Sequence, residues 1–265
     1  MINQPCFAYN IWNTELCEIF TKLSFKYSTP AIIQISEKIA KTIDLNIFTK
    51  QVNILKENWP KHIFLNLDHS SNIKLVKKCV DLGWDMVMYD GSNLPLKRNI
   101  SNTKEIANYA HRKNTLVEGE IDPIHIFNDK EKTVIQQKTD IKIAQNFIKS
   151  TGIDYFAISL GTVHGYSPDS LIKIDYDLLE RASKELDVNL VLHGGSGLSI
   201  STYKKCFSMK VKKINISTEI KKGYKEALLD IIYKEDFDIR FLNQELFKKM
   251  EEIFKEKNQC FEVIK

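Results

Sequence analysis

Eight short apolar runs separated by amphipathic helical stretches predict an α/β protein, a single-domain (β/α)8 barrel of the TIM type. Two further observations favour a closed barrel over an open, doubly wound sheet. Most runs are continuous rather than alternating, as in strands covered on both faces. Polar residues also stand at the ends of many of them, at Asn10, Ser36, Asp68, Asp90, Glu120, His164, His193 and Asn215. An open sheet would gather its ligands at one switch point, whereas a barrel brings every strand end to one face.

The strands are expected at Cys6–Tyr9, Ala31–Ile35, Ile63–Leu67, Asp85–Tyr89, Thr115–Ile121, Tyr155–Ser159, Asn189–Leu192 and Lys213–Ile216. Between them, Asn72–Leu82 places Ile73, Val76 and Val80 on one helical face and stops at Gly83, a C-cap. Thr139–Thr151 groups Ile143, Ala144, Phe147 and Ile148 and stops at Gly152. Asp177–Leu186 does the same with Leu178, Leu179, Ala182 and Leu186, and Glu105–Lys113 shows a fainter periodicity. The segment 122–138 lacks a clear period, as a loop over the C-terminal face of a barrel would. Asn243–Lys257 reads as a charged helix packed outside the barrel or against another subunit. Without repeats, low-complexity tracts or linkers, residues 1–265 are expected to form one domain.

Composition narrows the function classes. The 265 residues are 43% hydrophobic with a formal net charge of +4, and the lysines are spread through the helices. No basic stripe interleaved with aromatics is present, which argues against nucleic-acid binding. Five cysteines, an odd number without a Cys-x-x-Cys pair, read as buried thiols in a reducing compartment. With no signal-like N-terminus and no long apolar span, the expected location is the cytoplasm, away from membranes.

Three of the six histidines carry the functional signal. His69, His164 and His193 each close an apolar run and are followed by Ser70, Gly165 and Gly194, small residues that let backbone or ligand approach. On one barrel face, three neutral imidazoles with an open position form the arrangement zinc uses in catalysis. His62, His111 and His125 read as structural or solvated. Asp68 precedes His69. Both can serve one site only where the strand ends and the backbone turns, and Asp68 then suits a general acid/base or a partner to a histidine. Gly194-Gly-Ser-Gly197, between a strand and a helix, can offer N–H groups to a phosphate, and so can Asn215-Ile-Ser-Thr218 after the last strand.

In these residues the chain resembles the class II, metal-dependent ketose-bisphosphate aldolases, which include fructose-bisphosphate and tagatose-bisphosphate aldolases. The likeness spans nearly the whole sequence: Ala8-Tyr-Asn10, Ile33-Gln-Ile-Ser36, Leu67-Asp-His69, Val87-Met-Tyr-Asp-Gly-Ser92, Val117-Glu-Gly-Glu120, Gly161-Thr-Val-His-Gly165, Leu192-His-Gly-Gly-Ser-Gly197 and Asn215-Ile-Ser-Thr-Glu219. The resemblance implies zinc on His69, His164 and His193, and Asp68 as the proton carrier at the C4 oxygen. It implies Asp90 and Glu120 at a second or alternative metal position, with a second divalent metal or a monovalent cation as a further cofactor. It implies a dihydroxyacetone-phosphate cradle of Gly165, Gly194, Gly195, Ser196, Asn215, Ser217 and Thr218. Ser36 and Arg240 match contacts to the distal phosphate, Arg240 reaching in from a neighbouring subunit, so a homodimer or homotetramer is implied. The implied reaction is reversible cleavage of a phosphorylated ketose to dihydroxyacetone phosphate and an aldehyde through a metal-stabilised enediolate.

The chain also differs from the family pattern. Asn66 stands where relatives commonly have histidine, and Asp238-Ile-Arg240 replaces their Asp-Pro-Arg. After Glu120 the glycine and acidic pairs of the mobile loop are absent, leaving Asp122, Asp129 and Glu131 as candidates for the loop acid. The segment 166–169 is short and lacks the usual lysine. The changes fall on the lid and acceptor side, which points to an acceptor other than the glycolytic one. Two other readings use the same residues: a catalytically silent sugar-phosphate-binding barrel, or a metal-dependent lyase or epimerase that makes the enediolate without breaking the carbon–carbon bond.

Overall fold

The computed structural model describes residues 4–58, 62–122, 138–163, 165, 174–233 and 238–261. Eight strands are parallel throughout and pair in sequence order, with the first also paired to the last, so the sheet closes. They are β1 (Cys6–Asn10), β2 (Ala31–Ser36), β3 (Ile63–Ser70), β4 (Met86–Asp90), β5 (Leu116–Glu120), β6 (Tyr155–Ala157), β7 (Asn189–Leu192) and β8 (Val211–Ile216). Every expected strand is present, and the architecture is the (β/α)8 barrel. Among the described residues ten α-helices surround it: α1 (Thr14–Lys26), α2 (Glu37–Ala40), α3 (Leu45–Asn58), α4 (Ile73–Asp81), α5 (Leu96–His111), α6 (Ile141–Thr151), α7 (Tyr176–Glu185), α8 (Ile200–Ser208), α9 (Thr218–Ile232) and α10 (Leu242–Asn258).

Side-chain chemistry places the helix ends. The Asn72 carboxamide accepts from the N–H groups of Lys74 and Leu75, and Asp140 does the same for Lys142 and Ile143. Gly152 closes α6 at φ 72°, a left-handed conformation that suits glycine. One helix begins well before its expected start. α5 runs from Leu96, directly after Pro95, and its first half buries Asn99, Asn102 and Thr103. Those polar residues bond inside the fold, so no apolar period marks that half in the sequence. The segment 123–137, which includes His125, Asp129 and Glu131, lies outside the described residues.

Strand alternation divides the buried residues into two sets. One parity (Phe7, Tyr9, Ile33, Leu65, Leu67, Val87, Val117, Phe156, Leu190) faces the helices and forms the main core. The other parity fills the barrel interior. Cys6, Ala8 and Ile32 make one small apolar cluster there, and Met86, Met88, Tyr155, Ala157 and Val191 make another. Above this apolar floor the same parity turns polar, with Gln34, Asn66, Glu118 and Lys213, all fully buried. One step further up lie Asn10, Ser36, Asp68, Asp90, Glu120, His193 and Asn215. α10 packs outside the barrel on α9 and α1, where Phe254 stacks on Tyr9 at 5.6 Å. All five cysteines are free and buried. Among the described residues no helix is long and apolar enough to cross a membrane.

Candidate active site

Asp68 and His69 are neighbours in β3, so a regular strand would point them to opposite faces. The backbone resolves this. The pairing of β3 with β4 slips between Leu67 and Ser70, and His69 takes φ 44°. A non-glycine residue in that left-handed region costs roughly 1–2 kcal/mol. The gain is an imidazole that joins Asp68 on the same side of the sheet.

Three carboxylates face the imidazoles and set their orientation. His69 Nδ1 lies 2.9 Å from Asp90 Oδ2 and 3.6 Å from Glu120 Oε2. His193 Nε2 lies 2.8 Å from Glu118 Oε1. The remaining nitrogens, His69 Nε2 and His193 Nδ1, face each other at 2.7 Å. A neutral imidazole has one N–H and one lone pair. With each N–H given to a carboxylate, both lone pairs point at one place, an arrangement that a shared proton or cation makes favourable.

The surrounding charge agrees. Burial opposes protonation of His69, but Asp68, Asp90 and Glu120 push its pKa up to about 10. Burial also works against charge on Asp68, yet His69, Lys213 and His193 hold its carboxyl below the ordinary value. Burial pushes the Glu120 carboxyl well up, His69 opposing and Asp90 adding to the rise. Both Glu120 oxygens are buried without a hydrogen-bond partner. The donor atoms of Asp68, His69 and His193 lie within 4.8 Å of one another, and so do those of His69, Asp90 and Glu120. Converging imidazole lone pairs, excess negative charge and orphaned carboxylate oxygens fit a divalent cation. His164 lies outside the described residues.

Asp68 is held from two sides. Its Oδ2 accepts from Asn10 Nδ2 at 2.7 Å and its Oδ1 from Asn215 Nδ2 at 3.2 Å. The Asn10 carboxamide is fixed in turn by Gln34 (2.7 Å), and Gln34 by Asn66 (3.1 Å). Asn66 thus begins a chain of amides that ends on the carboxylate.

Asp68 and His69 open onto a cleft of about 590 Å³, lined also by Ser36, Gly165, Gly194, Ser196, Asn215, Ser217 and Thr218. Ser36 precedes α2 without using its hydroxyl as a cap, whereas Ser196 Oγ accepts from the N–H groups of Ser217 and Thr218, both at 3.1 Å. Gly195 sits behind this wall. A Cβ there would overlap Ile214, and one on Gly194 would overlap the Val163 carbonyl oxygen, so the glycine run is packed tightly against β8 and the loop after β6. Arg240 does not line the cleft of its own chain. Its side chain is 85% exposed and pairs with Asp238. Asp122, two residues past β5, accepts from the Thr139 hydroxyl at 2.9 Å.

Sequence reasoning missed Trp12, Lys38 and Lys221, which line the cleft, and Gln34, Glu118 and Lys213 beneath it. A signal for the buried three existed. Each stands two residues before a strand-end polar residue (Ser36, Glu120, Asn215), and a period of two puts both on one face.

Comparison with known proteins decides the family. The model for "Fructose-bisphosphate aldolase class-II" matches residues 5–264. The chain belongs to that family. It is 31% identical over 241 residues to a fructose-bisphosphate aldolase of Staphylococcus aureus, covering 88% of this chain and 82% of that one. It is 35% identical over 186 residues to the 6-phospho-5-dehydro-2-deoxy-D-gluconate aldolase of Shouchella clausii, covering 69% and 62%. Among solved structures, the YdjI aldolase of Escherichia coli K12 superposes with a TM-score of 0.82 at 23% identity, covering 97% of this chain and 91% of the other. The Campylobacter jejuni fructose-bisphosphate aldolase gives 0.79 at 18%, covering 97% and 90%. These two likenesses bear on the fold. Family and relatives together make this chain a metal-dependent class II aldolase, a carbon–carbon lyase.

Proposed function

We propose that the chain reversibly cleaves a phosphorylated ketose to dihydroxyacetone phosphate and an aldehyde, with zinc held by His69, His164 and His193. Asp90 and Glu120, with His69, form an alternative cation position. The observation that carries the reading is the convergence of Asp68, His69 and His193, the first two opening onto a cleft whose wall includes Gly194 and Ser196. When bound there, the cation supplies Lewis acidity that stabilises the negative charge left on the donor carbons as the C3–C4 bond breaks.

The chain's own residues do the rest. Asp68, kept ionised and held by Asn10 and Asn215, takes the proton of the C4 hydroxyl in cleavage and returns it in condensation. Gly165, Gly194, Ser196, Ser217 and Thr218 cradle the donor phosphate, with Gly195 packed behind them, and Ser196 offers its own O–H as donor while its oxygen caps α9. Binding energy at that end positions the bond to be broken. Ser36 serves the acceptor end.

Arg240 acts in the cleft of a neighbouring subunit, and the chain works as a homodimer or homotetramer in the cytoplasm. Exposed Ile239 and Phe241, which flank Arg240 in the sequence, and exposed Ile232 and Tyr233 at the end of α9 support such an interface. Light scattering at a monomer mass would remove this part of the reading.

The deciding experiment is condensation of dihydroxyacetone phosphate with a panel of aldehydes by the zinc-loaded protein, with Asp68→Ala as control. Formation of one phosphorylated ketose, lost in the control, is the expected result. Zinc and phosphate binding without any product would favour the silent barrel. Normal turnover of fructose 1,6-bisphosphate would remove the expectation of a non-glycolytic acceptor.

A further inference from the structure

Beneath the cleft, three charged or ionisable side chains with no solvent exposure meet inside the barrel. Glu118 on β5 uses Oε1 toward His193 Nε2 at 2.8 Å and accepts from Lys213 Nζ on β8 through Oε2, also at 2.8 Å. Neither Glu118 nor Lys213 touches the cleft. A buried ion pair is a poor source of stability, because well-packed apolar residues commonly serve as well or better. The polar layer therefore needs another reason to exist, and the third member supplies it.

We propose that Glu118 and Lys213 are positioning residues that select which nitrogen of His193 faces the metal. The inference rests on the reading of His193 as a metal ligand. An ionised carboxylate is an acceptor only, so the imidazole nitrogen facing it carries the hydrogen. Glu118 thereby places the His193 proton on Nε2 and leaves the Nδ1 lone pair aimed toward His69 Nε2, 2.7 Å away. Lys213 holds the other carboxylate oxygen, so the Glu118 plane cannot rotate away from the ring. β5, β8 and the residue that follows β7 are tied into one arrangement that fixes both the ring orientation and its tautomer. Partners of this kind to a ligating histidine are worth roughly 10–100-fold in metal affinity.

The isosteric variant Glu118→Gln tests this sharply. Lys213 retains the amide oxygen as its acceptor, which turns the NH2 toward His193. The ring is then driven to put its lone pair on Nε2 and its proton on Nδ1. The expected result is zinc affinity lowered by about 10-fold or more, measured by competition with a chromogenic chelator, with the circular dichroism spectrum unchanged. In Glu118→Gln/Lys213→Met the amide oxygen is free to turn to the ring, and affinity is expected to recover in part. A structural role alone would not produce that recovery.

A measurement on the native protein needs no variant to fold. Long-range 1H–15N spectra of histidine-labelled protein, with His193 assigned by its loss in His193→Gln, should show the proton on Nε2 in the zinc-loaded form. A proton on Nδ1, or unchanged zinc affinity in folded Glu118→Gln, overturns the inference. Failure of the native protein to bind zinc would instead overturn the reading of the site on which it rests.

Discussion

Nδ1 of His193 lies 2.7 Å from Nε2 of His69, although 124 residues separate them in the chain. Each ring is turned by a carboxylate behind it, so the nitrogens that meet are the ones with lone pairs to give. Removing the metal with a strong chelator is therefore expected to abolish aldol cleavage and to lower the thermal midpoint. Zinc at about 100 times its dissociation constant adds about 2.7 kcal/mol to a folded state that alone binds it. His193→Ala should lose more than the roughly 10–100-fold in affinity typical of losing a ligand's partner. Zinc content after dialysis, compared with the native protein, checks this; a full zinc equivalent retained in His193→Ala would sink it.

Asp68 differs from the other acidic residues of the site in what holds it. Two carboxamides donate to it, from Asn10 and Asn215, and neither is a charge that a proton could displace. Such support suits a group that takes up and returns a proton without moving. Asp68→Asn is expected to lower kcat by about 10²–10⁴ with little change in zinc content. Steady-state cleavage assays together with metal analysis separate the proton-carrying role from a role as ligand. Loss of zinc in parallel with kcat would assign Asp68 to the metal instead.

The barrel was legible because strands buried on both faces leave continuous apolar runs, and eight of them recur with helices between. The meeting of His69 and His193 was legible because each histidine closes an apolar run, and a barrel brings such strand ends to one face. Glu118 and Lys213 were not. In isolation, a lysine in Val211-Lys-Lys-Ile-Asn215 reads as solvated, and only the inward parity of β8 shows that Lys213 is buried while Lys212 is not. The first half of α5 failed for the converse reason. Its buried face is made of Asn99, Asn102 and Thr103, satisfied by Glu120, Tyr89 and Asn99 itself, so hydrophobic periodicity is absent where packing is tight. Tertiary hydrogen bonds supplied what local pattern lacked.

Gly194 combines a left-handed φ of 68° with a backbone neighbour, the Val163 carbonyl, where a Cβ would lie. Neither demand can be met by moving a flexible side chain. Gly194→Ala is expected to cost more than about 1 kcal/mol of stability, beyond the ordinary penalty for alanine at positive φ. The displaced loop carries Ser196, so weaker binding of dihydroxyacetone phosphate should accompany the loss. Urea denaturation and inhibition by inorganic phosphate measure the two effects. A variant with native stability and native phosphate inhibition would show that the loop is not fixed as described.

Glu37 links the acceptor side of the cleft to the end of β3. One of its oxygens accepts from the Ser70 hydroxyl and from the N–H groups of Ser71 and Asn72, while Lys41 pairs with the other. Burial tends to raise its carboxyl, but Lys41, Ser70 and Ser71 outweigh it and hold the folded-state pKa below the ordinary 4.5. A carboxylate depressed in the folded state binds protons more readily when unfolded, so it contributes stability above its unfolded value. That contribution is fully present at neutral pH, begins to fall as pH drops below about 4.5, and is gone once pH passes the lower folded value. Glu37→Gln should therefore be less stable than the native protein at pH 7, with the difference narrowing below pH 4.5. Because His69 directly precedes Ser70, the same substitution should loosen the turn that holds its left-handed backbone. Thermal midpoints of both proteins from about pH 7 down to about pH 3.5 test this, and parallel curves across that range would show that Glu37 is not the group responsible.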